Sequence, residues 1–445
     1  MTLWFESALL EAGWADRVRL TLAGGQIERV AVGVDPAPGD ERHFVALPGM
    51  PNVHSHAFQR AMAGLAEVRG AGDDDFWSWR ELMYRFVARI GPEECEAIAA
   101  QAYAEMLEAG FTRVGEFHYL HHAPDGSRFD DVAEMSGRVA AAAEIAGIGL
   151  TLLPVFYAHG GFGGQPAGEA QRRFVNDVDG FATLVERAGA ILPPDGVIGV
   201  APHSLRAVTA EELRAILPLG GPVHIHIAEQ VREVDDCAAW SGKRPVRWLL
   251  HEMPVDARWT LVHATHVEAI EVAGIVRSGA VAGLCPVTEA NLGDGVFPAS
   301  LFLDSGGAIG IGSDSNVRVD AAEELRLLEY GQRLTRRARN VLAGANRPAT
   351  GARLFAAAVA GGGQSLGAVT GLAVGRPADI VSLNRDDVAF ADRKGDALID
   401  SWVFASRAGV DCVWRAGVKH VEGGRHWNAQ AIAARYRAAL ARLLA

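Results

Sequence analysis

Leu47-Pro48-Gly49-Met50-Pro51-Asn52-Val53-His54-Ser55-His56 is the stretch on which the fold turns. Ahead of it, residues 3–45 read as short strands broken by turns such as Ala23-Gly24-Gly25. Behind it, apolar strands alternate with amphipathic helices, the pattern of βαβ units around a parallel sheet. The stretch itself reads as a strand ending in His54 and His56. Side chains two apart on a strand share a face. If this strand faces the inside of a barrel, both imidazoles open onto the mouth at its carboxyl end. Two adjacent imidazoles suit zinc or another borderline divalent cation. A lone His-x-His suits a solvated turn equally well, so it needs company.

Working outward, eight strands are predicted: Ala46–Val53, Thr112–Phe117, Leu150–Phe156, Val197–Ala201, Val223–Ile227, Thr260–His263, Ala280–Leu284 and Ala308–Ile311. Helical segments, among them Pro92–Ala109, Asp130–Ile145, Ala170–Ala190 and Val267–Ser278, separate most of them. Eight such units match a closed (β/α)₈ barrel, an α/β fold. A further helix near Ala321–Arg339 precedes strand-like runs at Gly371–Asp386 and Val410–Val421, and Ala429–Leu444 reads as a terminal helix. The expected organisation is therefore a small β-sandwich shared by residues 1–46 and 366–445, the latter with the C-terminal helix, around a (β/α)₈ barrel at 47–365.

Company for the His pair comes from three other strand ends. His224 and His226 close the fifth strand on one face, with Glu229 three residues on; His263 closes the sixth; Asp314 follows the eighth. His226 is preferred over His224 as a ligand because it leads directly into Glu229. A cation held there lowers the pKa of a water to about 7 and readies it to attack an electron-poor carbon. Glu229 and His263 are the candidate proton carriers, and Asp314 is placed to take the water's proton and pass it on. Segments after the first, second and fourth strands supply Gln59, Arg80, Tyr119 and Arg206 as donors. Two guanidinium forks suit two carboxylates, so a small dicarboxylate substrate is expected rather than a neutral nucleobase. His118, His121 and His122 are read as loop packing, Trp77 and Trp79 as core, and His159 as part of a cover in a Gly-rich loop.

The Leu47–His56 segment resembles the first-strand motif of the amidohydrolase superfamily, and Val374-Gly375-Arg376-Pro377-Ala378-Asp379-Ile380-Val381 resembles its return to the β-module. The resemblance implies that His54, His56, His226 and Asp314 bind the metal while His263 stays free for catalysis. Binuclear members bridge two metals with a strand lysine. Here the only lysines are Lys243, Lys394 and Lys419, against 39 arginines, and none lies on a proposed strand. One divalent ion is therefore expected, zinc first, with iron(II) or manganese(II) as alternatives. His226-Ile227-Ala228-Glu229 is similar to the branch that hydrolyses C=N bonds. Phe76-Trp77-Ser78-Trp79-Arg80-Glu81-Leu82-Met83-Tyr84 and Glu116-Phe117-His118-Tyr119-Leu120-His121-His122 resemble the formimidoylglutamate deiminases within that branch. That likeness implies N-formimidoyl-L-glutamate as substrate, with Gln59, Arg80 and Tyr119 at one end and His203 and Arg206 near the other carboxylate. It also implies a homodimer.

Composition sets the remaining bounds. A formal charge of −12 argues against a nucleic-acid partner, which needs clustered Lys and Arg. Cys95, Cys237, Cys285 and Cys412 form no C-x-x-C pair and suggest neither zinc knuckle nor disulfide framework. Residues 1–14 lack the apolar core of a signal peptide, and no run approaches the ~20 apolar residues of a membrane span, so the cytoplasm is expected. Two rival functions stand beside the deiminase: a deaminase of guanine or an adenosine derivative, and an inactive scaffold barrel.

Overall fold

The computed structural model describes residues 1–69 and 75–445. Each of the eight predicted barrel strands is present. In order they are Met50–Ser55, Phe111–His118, Gly149–Phe156, a broken fourth strand (Val197–Ile198 and Ala201–Pro202), Val223–Ile227, Trp259–His263, Val281–Leu284 and Ala308–Ile311. All pair in parallel. Closure is completed by Ile311 opposite Asn52 and by bridges from Val200 to Val223 and Ser204 to His226. Leu150, Leu152, Leu153, Val155 and Phe156 are all fully buried, as expected of parallel strands covered by helices.

Two boundaries differ from the sequence reading, each for a local reason. The predicted strand Ala46–Val53 splits at Gly49: Glu41–Pro48 belongs to an outer sheet and Met50–Ser55 to the barrel. A side chain at Gly49 would collide with Thr112, so glycine lets the chain cross between the two sheets. The predicted helix Ala170–Ala190 begins only at Val178, where the Asp177 carboxylate accepts the Gly180 N–H at 2.7 Å. The residues ahead of it instead bury Arg173 and Phe174 beneath the barrel mouth.

The outer module is one mixed sheet of eight strands rather than two stacked sheets. Its order is Arg425–His426, Val418–Glu422, Val410–Arg415, Ile380–Leu383, Glu41–Pro48, Thr2–Leu10, Gly13–Ala23 and Gln26–Ala31. Glu41–Pro48 pairs antiparallel with Ile380–Leu383, joining the two ends of the chain in one continuous ladder. The sheet curls until its Gln26–Ala31 margin meets the segment leading into Ile380–Leu383: Ile27 N–H donates to Arg376 O at 2.9 Å and Ala378 N–H to Gly25 O at 2.9 Å. That curl encloses Leu3, Phe5, Leu20, Ile27, Ile380 and Trp414 in a core of their own, doing the work that a second sheet would do.

The helix Thr350–Ser365 closes the amino-terminal end of the barrel. Its last carbonyl, on Ser365, accepts from His224 Nε2 at 2.9 Å, Ser365 Oγ pairs with Thr260 Oγ1 at 2.7 Å, and Thr151 Oγ1 donates to Leu366 O at 2.9 Å. The helix approaches strand eight so closely that a side chain at Gly361 would collide with the Ile309 backbone. Gly361→Ala is therefore expected to destabilise the protein by about 1–3 kcal/mol, the usual cost of overpacking. Thermal unfolding of the variant should show a lower midpoint than the wild type.

Candidate metal centre and active site

His54, His56 and His226 point their Nε2 atoms at one another from strands one and five. His54 Nε2 lies 3.2 Å from His56 Nε2 and 3.0 Å from His226 Nε2. Asp314 Oδ1 completes the cluster, 3.5 Å from His54 Nε2 and 3.3 Å from His56 Nε2. The opposite ring nitrogens explain the orientation. His56 Nδ1–H donates to Phe117 O at 2.9 Å and His226 Nδ1–H to His203 O at 3.0 Å, leaving both Nε2 atoms as lone pairs. Burial pushes the His54 imidazole down to about 3 and those of His56 and His226 in the same direction, so the rings are neutral. Burial alone would raise Asp314, but His54, His56 and His263 hold its carboxyl well below the usual range. Lone pairs and a carboxylate packed this tightly, away from water, repel one another unless a cation sits among them. This donor set fits a divalent metal.

His224, the rival on the same strand, is committed elsewhere: its Nε2 bonds Ser365 O at the barrel floor, one layer below the cluster. The distance between layers separates two histidines that alternation alone leaves equivalent.

A buried polar lock fixes the cluster's backbone. Asn52 Nδ2 donates to Ser313 Oγ at 2.6 Å, and Ser313 Oγ donates to Asn316 Oδ1 at 2.6 Å. Asn316 Nδ2 reaches Asp314 O at 2.9 Å and His56 O at 3.2 Å. Asp314 and Asn316 are held at φ +46° and +54°, and Ala228, His263 and Ala264 also have positive φ. Left-handed backbone at non-glycine residues concentrates at sites where strain is part of the design.

His263 and Glu229 face the cluster across the cavity. His263 Nε2 is 3.8 Å from both Glu229 Oε1 and Asp314 Oδ2, and its Nδ1 is 3.2 Å from Glu289 Oε1. Burial lowers the His263 imidazole, but the surrounding carboxylates, Glu229 first, outweigh it and raise the group to about 10. Burial lifts the Glu229 carboxyl to about 7 against the pull of His263 and Arg206. The Glu229 backbone is itself fixed, because Glu233 accepts the N–H groups of Ala228 and Glu229 at 3.2 and 3.1 Å.

Over the cluster lies a cavity whose lining includes Gln59, Arg80, Tyr119, His203 and Arg206, all five of the substrate-binding residues expected from sequence. Gln59 Nε2 donates to Tyr119 Oη at 3.0 Å. Arg80 and Arg206 flank the Trp77 ring, their guanidinium carbons 4.4 and 5.6 Å from its centre. Gln59 Oε1, Arg80 Nε and Arg206 Nη1 are buried without a hydrogen-bond partner among the described residues. Buried polar atoms left open around a cavity mark where a ligand's polar groups belong, acceptors facing the two guanidinium N–H groups and a donor facing Gln59 Oε1. Trp77, expected in the core, instead serves as a platform for these cations. Arg80 and Trp77 stand on the helix Phe76–Val87, whose start is capped by the Asp75 carboxylate accepting Trp77 and Ser78 N–H.

The structure does not bring His118, His121 or His122 to the metal cluster. His121 Nε2 and His122 Nε2 bond Val155 O and Val175 O, which matches loop packing. His159 pairs with Glu212 at 2.9 Å. Sequence reading missed Asn52, Ser313, Asn316, Glu233, Glu289 and Tyr157. The one available signal was for Glu289, a carboxylate five residues past the end of strand seven, as Glu229 follows the end of strand five.

The chain belongs to the amidohydrolase family, whose model matches residues 45–419. A second model, formimidoylglutamate deiminase HutF, N-terminal domain, matches residues 2–44. The chain is 54% identical to the formimidoylglutamate deiminase of Pseudomonas aeruginosa over 431 residues, 95% of each protein. A crystal structure of an amidohydrolase from Brucella melitensis superposes with a TM-score of 0.97 at 55% identity over 100% of both chains. An adenosine deaminase from Xanthomonas campestris with bound zinc shares the fold, at 21% identity and a TM-score of 0.81 over 100% of this chain and 98% of that one. His54, His56 and His226 thus form the His-rich metal site of an amidohydrolase.

Replacing His226 by Ala should strip divalent metal from the purified protein, whereas His224→Ala should retain it and lower only thermal stability. Elemental analysis of the two variants beside the wild type reads both outcomes.

Proposed function

We propose that this chain is a formimidoylglutamate deiminase, hydrolysing the formimino C=N bond of N-formimidoyl-L-glutamate to N-formyl-L-glutamate and ammonia. The observation that carries it is the pair Arg80 and Arg206, open and half-buried beside the metal cluster, together with 54% identity to a protein of that activity. A planar neutral heterocycle gives these two guanidinium groups no opposite charge to pair with, whereas glutamate offers each a carboxylate. An inactive scaffold has no use for an intact donor set.

Gln59, Arg80 and Tyr119 would hold one end of the glutamate moiety, and His203 and Arg206 the other. His54, His56, His226 and Asp314 would hold one divalent ion, zinc being preferred over iron(II) or manganese(II). A second convergent group, His263, Cys285 and Asp314, shares Asp314 with the first; we assign the single ion to the first group, where three imidazole Nε2 atoms converge. When bound, the cation supplies the Lewis acidity that makes a water nucleophilic near neutral pH. Asp314 Oδ2, facing His263, is placed to take that water's proton. Glu229 and His263, on the far side, are placed to deliver protons to the nitrogen that departs as ammonia and to steady charge on the carbon's new oxygen.

We take the protein to work in the cytoplasm, which suits four free, buried cysteines, and as a homodimer on the family resemblance. No helix among the described residues is long and apolar enough to cross a membrane.

Ammonia release from N-formimidoyl-L-glutamate, assayed beside guanine and adenosine compounds, tests the reading; turnover of the heterocycles alone would overturn it. Arg80→Met and Arg206→Met should each raise KM about 10- to 100-fold, the worth of a charged hydrogen bond, with bound metal unchanged. Unaltered kinetics in both variants would show that the carboxylates lie elsewhere.

A further inference from the structure

His263 ends strand six in a conformation that a side-chain-bearing residue adopts only under constraint, φ +67°, with Ala264 following at +46°. The backbone side of that constraint is visible: Ala264 N–H donates to Ile227 O at 3.0 Å. The side-chain part comes from Glu289, on the short helix Pro286–Leu292 that follows strand seven. Glu289 Oε1 lies 3.2 Å from His263 Nδ1 and also accepts the Cys285 N–H at 2.9 Å. The carboxylate is therefore anchored to backbone on one side and presented to the imidazole on the other, within a nearly solvent-free pocket.

We infer that Glu289 is a positioning residue for His263, gripping Nδ1–H so that Nε2 is aimed across the cavity at Glu229 and Asp314. A carboxylate oxygen accepts the Nδ1–H, so this contact holds a proton on Nδ1 and fixes the plane of the ring. Without it the ring could turn about its χ2 torsion, and a different atom would face the reacting carbon. A carboxylate oriented behind a histidine in this way is the second member of an acid–base relay in which only the ring touches the substrate. Capping Cys285 N–H does not by itself require a charge; a glutamine oxygen would serve. Helix capping and ring positioning are therefore separable by one isosteric change.

The kinetic arm rests on the deiminase reading, and the spectroscopic arm does not. Glu289→Gln should bind metal and unfold like the wild type, keep KM within about threefold, and lose about 10- to 100-fold in kcat. In a His263→Asn background the same change should cost nothing further, because its route to the reaction has been removed. In [¹⁵N]histidine spectra of the substrate-free protein, a His263 Nδ1–H signal should be present in the wild type, absent in His263→Asn and displaced in Glu289→Gln. An undisplaced signal would overturn the inference. So would a kcat within about threefold of wild type, or a loss matched by lost metal or persisting without His263. Should the wild type fail to hydrolyse formimidoylglutamate, the deiminase reading falls, while the spectra still decide what Glu289 does.

Discussion

His56, His226 and Asp314 converge on His54 Nε2 in the barrel mouth, at 3.2, 3.0 and 3.5 Å, and the rest of the molecule is arranged around the mutual repulsion of these donors. A cation seated among the donors relieves it. The fold's task is to hold the donors in place regardless, and it does so through hydrogen bonds one step removed. Phe117 O and His203 O orient two of the rings, and Asn52, Ser313 and Asn316 tie strand one to the loop carrying Asp314. Each of these bonds satisfies a buried polar group that would otherwise cost stability. The metal site is thus rigid at the expense of local backbone strain, visible in the positive φ values at the ends of strands five, six and eight.

The second half of the site has a different character. Arg80, Arg206 and Gln59 keep polar atoms open, and the Trp77 ring beside both guanidinium groups lets two like charges stand near each other without an ion pair of their own among the described residues. A site that neutralised its arginines internally would have to break those pairs for each substrate molecule. Leaving them unpaired reserves their attraction for an incoming dianion, and the exposed Arg232, 4.9 Å from the centre of the same ring, extends the positive field towards solvent.

Much of this is legible in the sequence. The barrel strands are apolar runs of the right length, and His54-Ser55-His56, His226, His263 and Asp314 fall at their carboxyl ends, where periodicity alone places them in one mouth. What is not legible depends on partners distant along the chain. Asn52 and Ser313 meet across 261 residues, and His263 and Glu289 meet only because strands six and seven are neighbours. His224 and His226 look alike by alternation, and only the barrel's layering sends one to the floor and the other to the metal. Trp77 misleads for another reason: an indole is equally suited to a core and to a face under cations. The curled outer sheet escapes because pairing Glu41–Pro48 with Ile380–Leu383 is a long-range event with no local sign.

That pairing also has a consequence for how the chain is made. As the ribosome delivers the first strands, Thr2–Leu10 can zip to Gly13–Ala23 and to Glu41–Pro48 at once, but the far edge of Glu41–Pro48 stays bare until Ile380–Leu383 emerges. At ordinary translation speeds that interval is on the order of tens of seconds. The whole barrel must be synthesised while a ready-made docking edge for any other strand remains uncovered. Crowded polysomes producing this protein therefore face a hazard of strand exchange between neighbouring nascent chains, one that the finished molecule no longer shows.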